Sequence, residues 1–198
     1  MGRFNLSNIL AAAAASFALG IAGRCIRNGI AALIQVPGRL EKVSTAGQPV
    51  VFVDYAHTDD ALRRVLQNLS MFRTGRIITV FGCGGDRDRG KRPMMGGIAA
   101  RMSDIVFVTD DNPRTEDPDT IVKEILDGVK ESAAPVHVVR DRRSAIRAAV
   151  GAAGEGDLVV IAGKGHENEQ ICRDGRVPFS DALEAEEALR GREVDHQG

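Results

Sequence analysis

The sequence predicts an α/β domain: a Rossmann-like, doubly wound, mostly parallel sheet with helices on both faces. Three observations carry this. From Pro49 onward, short aliphatic runs alternate with longer amphipathic segments. Each run is nearly continuous in β-branched or aliphatic residues, the mark of strands buried on both faces. Strict β-α alternation implies parallel strands joined by right-handed crossovers.

The predicted strands are Val50–Asp54, Arg76–Phe81, Ile105–Thr109, Val136–Val139 and Leu158–Ala162. The predicted helices are Thr58–Met71, Lys91–Met102, Pro118–Glu131 and Arg142–Ala153. In the first helix, Ala61, Leu62, Val65, Leu66 and Leu69 fall at helical spacing; in the third, Ile121, Val122, Ile125, Leu126 and Val129 do so. Arg173-Asp174-Gly175-Arg176 reads as a hairpin turn. An acidic amphipathic helix follows over Asp181–Leu189, and residues 192–198 read as a tail. Residues 1–36 stand outside the alternation and join the domain of residues 37–191 through Pro37-Gly38. Their Ala-rich stretch, Ile9 to Ala22, is shorter than the ~20 residues a membrane span needs. It reads as a buried helix starting near Ser7 or Asn8, with a signal peptide as the open alternative because Ala-x-Ala patterns are present.

Composition narrows the function. The chain is 43% hydrophobic and 27% charged, with a net charge of −1, so no global field calls for nucleic acid or an anionic membrane. Only 4% is aromatic, so the core must be aliphatic. Cys25, Cys83 and Cys172 are far apart and odd in number, without zinc spacing, which suits a reducing cytoplasm better than a disulfide framework.

The chemistry gathers where strands end. The five strands are followed by Asp54-Tyr55-Ala56-His57-Thr58, by Gly82 to Arg92, by Asp110-Asp111-Asn112-Pro113-Arg114, by Arg140-Asp141-Arg142 and by Gly163-Lys164-Gly165-His166-Glu167. If the strands are parallel, all five loops leave one sheet edge, where open α/β sheets bind ligands. Gly85 to Lys91 satisfies G-x-x-x-x-G-K, but Arg92 stands where a P-loop needs Ser or Thr and the four intervening residues are all charged, so a phosphate-binding P-loop is rejected. Gly82-x-Gly84 is too little for a dinucleotide fingerprint, which disfavours an oxidoreductase. No metal site is expected from the spacing of the acids and histidines. Arginines beside carboxylates suit a ligand carrying both a carboxylate and an ammonium. The residues by themselves lead to an amino-acid-shaped or nucleotide-shaped ligand, without complete catalytic machinery.

Four of these motifs in register resemble the C-terminal domain of Mur ligases of the diaminopimelate-adding (MurE) type. They are Asp54–Thr58, Phe81–Asp88, Thr109–Arg114 and Ala162–Glu167. Gly2 to Ala12 resembles the end of that family's central ATPase domain, and Pro37 to Glu41 its linker. The resemblance implies an ATP- and Mg2+-dependent ligase that adds meso-diaminopimelate to UDP-N-acetylmuramoyl-L-alanyl-D-glutamate, in the cytoplasm, as a monomer. It implies that Arg87, Asp111, Asn112, Arg114, Gly163 and Glu167 hold the diaminopimelate. Arg87 and Arg114 would take the distal carboxylate and Glu167 the distal ammonium. Asn8, Arg39, Asp54, Tyr55 and His57 would line the ATP side. Lysine-adding relatives lack the arginine at 114, so the diaminopimelate type is expected. Asp59 replaces the proline usual in the family, a change that suits the start of a helix. The family's P-loop, magnesium-binding acids, modified lysine and UDP-binding domain are absent from this sequence. The chain is therefore expected to be a fragment without turnover of its own, the alternatives being a stand-alone amino-acid-binding module or a lysine-adding relative.

Overall fold

The computed structural model describes residues 3–130 and 134–195. It divides into two compact units, one up to Val36 and one from Pro37.

The first unit is two helices, α1 (Arg3–Ala18) and α2 (Gly23–Ala32). The expectation of one buried helix from near Ser7 or Asn8 through Ala22 is corrected at both ends, since α1 already begins at Arg3. Gly20 adopts a left-handed φ of 82°, and its N–H and that of Ile21 return to Phe17 O and Ser16 O, ending α1. Large apolar side chains of this unit, Leu10, Phe17, Leu19 and Ile34 among them, are exposed, because alanine gives helix without supplying bulk to bury. Leu10, Phe17, Ile26 and Ile30 line an apolar groove between the two helices.

The second unit is built on strands β1 (Glu41–Lys42), β2 (Val50–Asp54), β3 (Ile77–Phe81), β4 (Ile105–Val108), β5 (Val136–Val138) and β6 (Leu158–Ala162). They form one sheet in the order β1-β2-β6-β3-β4-β5, in which only β1 runs antiparallel. The intervening helices are α3 (Asp59–Ser70), α4 (Lys91–Met102), α5 (Pro118–Leu126), α6 (Arg142–Ala152) and, at the end, α7 (Asp181–Asp195). A separate hairpin, β7 (Glu169–Cys172) and β8 (Gly175–Pro178), follows β6.

Side-chain caps start α3, α5 and α6. Thr58, Asp117 and Asp141 accept the backbone N–H three residues on and cap α3, α5 and α6. Helix α5 ends at Leu126, earlier than Glu131, which itself lies outside the described residues. The last helix runs on to Asp195, past the predicted end at Leu189.

Strand alternation divides the core into two faces. Ile77, Phe81, Val106, Val108 and Val160 pack beneath Leu62 and Leu66 of α3, Met95 and Ile98 of α4 and Ile125 of α5. Ile78, Val80, Phe107, Val159 and Ile161 pack against Ala145, Ile146 and Ala149 of α6 and Leu189 of α7. Thr79, fully buried, is satisfied by the Ser103 hydroxyl at 2.6 Å. Because β2 to β6 are parallel, their carboxyl ends share one edge, and the five loops named from the sequence emerge there. Among the described residues no helix is long and apolar enough to cross a membrane.

Candidate functional site

Asp111 and Asn112 leave β4 through Thr109, whose hydroxyl donates to Arg140 O. Both are buried. The Asn112 amide works in two directions: Nδ2 donates to Glu167 Oε2 at 2.9 Å, and Oδ1 accepts from Ile171 N at 2.9 Å and from Lys164 Nζ at 2.8 Å. The hairpin is sewn onto this loop, with Gln170 donating to Asp111 O and Arg114 N donating to Ile171 O. Arg114 sits at a left-handed φ of 52° and donates through Nη1 to Gly85 O at 2.8 Å. A Cβ on Gly84 would lie 2.9 Å from Arg114 Nη1 and 3.7 Å from Arg87 Cγ. The two arginines therefore flank one glycine from two different loops.

The loop carrying Arg87 is anchored from below. Arg92, fully buried, clasps Glu116 through both terminal nitrogens at 2.9 Å, and also donates to Glu124 and to Gly84 O. This clasp, with Asp86 N also donating to Glu116, holds the Glu116 carboxyl down to about 2. Arg87 itself is exposed and donates to Asp86 O.

Beneath Asp111 lies a buried ionic cluster. Arg142 donates to Asp181 through Nε at 2.7 Å and Nη2 at 2.8 Å, both side chains fully buried, while its Nη1 has no hydrogen-bond partner among the described residues. Burial pushes the Asp111 carboxyl up, opposed by the charges of Arg142 and Lys164. Among the described residues none donates a hydrogen bond to that carboxylate. Gly163, at a φ of +120°, passes so near that a Cβ would lie 2.5 Å from Asp111 Oδ2.

The second group of predicted residues gathers around β2. Arg39 stands 4.8 Å from the Tyr55 ring centroid. His57 meets the same ring edge-on at 4.6 Å, and His166 lies tilted at 5.5 Å. Asp54 is turned to the backbone instead. Its oxygens accept Leu40 N at 2.7 Å and Ala56 N at 2.8 Å, so it fastens the loops. Burial raises the Asp54 carboxyl despite those bonds. Asn8 belongs to α1, in the first unit. Among the described residues no group of three or more His, Cys, Asp or Glu is gathered as for a metal ion. Lys91, the lysine of the P-loop-like string, donates to His57 O at 2.7 Å.

A family model described as Mur ligase, glutamate ligase domain, matches residues 38–165. The chain belongs to the Mur ligase family. Within that family it is 51% identical over 192 residues to the UDP-N-acetylmuramoyl-L-alanyl-D-glutamate–2,6-diaminopimelate ligase of Solibacter usitatus, covering 96% of this chain and 39% of that protein. To the ligase of the same name from Geobacter metallireducens it is 49% identical over 213 residues, covering 100% and 42%. A solved structure of a ligase of that name, 41% identical, matches with a TM-score of 0.77 over 98% of this chain and 39% of the other. The chain thus spans about two fifths of the length of these relatives. A UDP-N-acetylmuramate–alanine ligase from Thermotoga maritima, at 18% identity, shares the fold with a TM-score of 0.69.

Several residues of this candidate site escape a reading of the sequence. Lys164 and Arg142 are visible as loop residues, yet their inward orientation is not. Glu116 carries no motif. His166 stands beside Glu167 in the chain, and nothing in the sequence joins it to Tyr55. Of the loop after β5, Arg140 pairs with Asp110 at 2.7 Å and Asp141 caps α6, so only Arg142 reaches toward Asp111.

Proposed function

We propose that this chain forms the amino-acid-accepting part of an ATP-dependent ligase that joins meso-diaminopimelate to UDP-N-acetylmuramoyl-L-alanyl-D-glutamate. The observation that carries the reading is the pairing of opposite charges at one sheet edge. Arg87 and Arg114 flank Gly84, while Asp111 lies buried without a hydrogen-bond donor near Glu167. A diaminopimelate end carries both a carboxylate and an ammonium, and this arrangement answers both. Arg114 and Arg87 take the distal carboxylate; Glu167 and Asp111 take the ammonium; Asn112 and Gly163 shape the floor between them.

Tyr55, His57 and His166 offer ring faces, and Arg39 a cation, which fits the base and phosphates of ATP. When bound, ATP supplies the phosphoryl group that activates the acceptor carboxylate. The acids of this chain do not fit Mg2+, since among the described residues no three His, Cys, Asp or Glu side chains converge as metal ligands. No step is therefore assigned to the metal here. Without a P-loop in its sequence, the chain alone is expected to show no ligase turnover.

Calorimetry with meso-diaminopimelate, L-lysine and ATP in turn tests the assignment. A carboxylate held by arginine is worth about 1.5–3 kcal/mol, so meso-diaminopimelate should bind roughly ten- to a hundredfold more tightly than lysine, which lacks the distal carboxylate. Equal affinities, or a preference for lysine, would remove the assignment of Arg114.

A further inference from the structure

We propose that Lys164 is the positioning residue of the amino-acid site, its buried ammonium locking Asn112 and Glu167 into a single arrangement. The inference rests on the amino-acid reading above but concerns a side chain outside the predicted contact set.

A lysine between two glycines, just past a parallel strand, looks like a phosphate ligand. The structure turns it the other way. Gly163 and Gly165 both adopt left-handed backbone, with φ of 120° and 55°, and neither could carry a Cβ. At Gly163 the Cβ would strike Asp111 Oδ2, and at Gly165 it would lie 2.7 Å from Tyr55 Cβ. Between these two pivots the Lys164 side chain runs inward and is fully buried. Its Nζ donates to Asn112 Oδ1 at 2.8 Å and to Glu167 Oε2 at 3.0 Å. Asn112 Nδ2 donates to that same Glu167 oxygen at 2.9 Å. The three side chains close a triangle, and the turn beneath it is fastened by Glu167 N donating to Lys164 O at 3.0 Å.

Two consequences follow. Lys164 is committed to protein partners, so a phosphate cannot use it. Glu167 has both donors on Oε2, which leaves Oε1 to meet a ligand from a fixed rotamer. The charges acting on Asp111 agree with a site that wants a cation: Asp181 and Glu167 stand beside it against Arg142 and Lys164, while Arg114 acts on Glu167. The groups facing Glu167 are Lys164 on its own loop, Asn112, Arg114 and Asp111 from the loop after β4, and Arg142 from the start of α6. Burial pushes the Glu167 carboxyl up, but the hydrogen bonds from Asn112 and Lys164 and the charges of Lys164 and Arg114 outweigh it and leave it lowered.

The test is NMR on the 13C-glutamate-labelled chain, with the Glu167 side-chain signal assigned from Glu167→Gln, alongside calorimetry with meso-diaminopimelate. In the wild-type chain Glu167 should titrate below the ordinary 4.5. In Lys164→Met its midpoint should rise, and affinity for meso-diaminopimelate should fall roughly tenfold or more, the loss expected for a hydrogen bond to a charged group. Lys164→Arg should recover part of both. An unmoved Glu167 titration in a folded Lys164→Met variant overturns the proposal. If that variant does not fold, the wild-type chain decides: Lys164 ammonium protons protected from exchange support the lock, and freely exchanging ones overturn it. A Glu167 shift that depends on Lys164, in a chain that binds no diaminopimelate, would uphold the lock while refuting the amino-acid reading.

Discussion

Replacing Arg142 by methionine should destabilise the chain by about 4 kcal/mol at pH 7, and by much less at pH 5. Methionine retains most of the aliphatic volume, so packing contributes little. The loss is electrostatic. Arg142 makes a two-pronged contact to Asp181 and donates to Ala162 O at 3.0 Å, all in the interior. It is also the leading charge that opposes the burial-driven rise of the Asp111 carboxyl. Without it, Asp111 keeps only the charge of Lys164 against its burial. A carboxylate that cannot stay ionised takes a proton, and this escape caps the cost. Burial already raises Asp111, and losing the leading opposing charge raises it further. The expected loss is the roughly 3–5 kcal/mol typical of a broken buried pair. It shrinks as pH falls, because the proton that relieves the carboxylate is then taken up at less cost.

The sign follows from proton linkage. In the variant the native state binds a proton that the unfolded chain has released, so stability falls as pH rises above 3.8. Urea denaturation at both pH values measures this. Thermal melting at pH 7 should drop by roughly 8–16 °C for a protein of this size. Asp181→Asn should cost less, because it removes one of the carboxylates that raise Asp111. A loss under about 1 kcal/mol at pH 7, or an equal loss at both pH values, would refute the charge-balance reasoning.

Three further outcomes are expected. Glu116→Gln should cost about 1–2 kcal/mol at neutral pH by weakening the Arg92 clasp. Because Glu116 is lowered to about 2, the wild-type advantage is present above pH 4.5 and fades as pH falls from 4.5 toward 2, as acid titration followed by circular dichroism would show. Gly163→Ala combines a φ of +120° with a Cβ 2.5 Å from Asp111 Oδ2; a loss of roughly 2 kcal/mol by denaturation and no calorimetric signal with meso-diaminopimelate are expected. Leu66→Ala, in the fully buried core under α3, should cost about 2–5 kcal/mol while leaving the preference for meso-diaminopimelate over lysine intact, separating fold from site.

The sheet was legible because its strands carry their own signature. Leu158–Ala162 is five aliphatic residues, and all five are buried. The starts of α3, α5 and α6 were legible to within a residue, since the capping Thr58, Asp117 and Asp141 stand immediately before apolar periodic segments. Two kinds of element were not. Strand β1 is two residues long and pairs only with β2, too short for periodicity to register. In the first unit the alanine run announced a helix but not its end, because Gly20 terminates it through backbone geometry rather than through any change in hydrophobicity. At the site, polar residues just past strand ends could be read as ligand contacts. The direction of a charged side chain could not. Lys164 and Arg142 point inward because carboxylates wait for them there, and carboxylates far away in sequence help decide it: Asp181 for Arg142, and Asp111 for both.

Asp54 and Asp111 show how structure sorts residues that sequence leaves equal. Both are buried aspartates at the carboxyl end of parallel strands, and burial raises both carboxyls. Asp54 accepts two backbone N–H groups, from Leu40 and Ala56, and so fastens the chain entering the sheet to the loop leaving it. Its removal should therefore be felt first in stability. Asp111 accepts no hydrogen bond from the described residues; burial raises its carboxyl, and only the charges of Arg142 and Lys164 oppose that rise. A buried carboxylate left in that state costs stability that an apolar side chain would not. On the proposed reading a ligand ammonium removes that cost, so binding energy at Asp111 is drawn from strain already present in the free chain. The same logic makes the lock by Lys164 necessary. A second carboxylate beside Asp111, free to swing, would raise the repulsion further, whereas one held on Oε2 by Lys164 and Asn112 adds a partner for the ammonium at a fixed place.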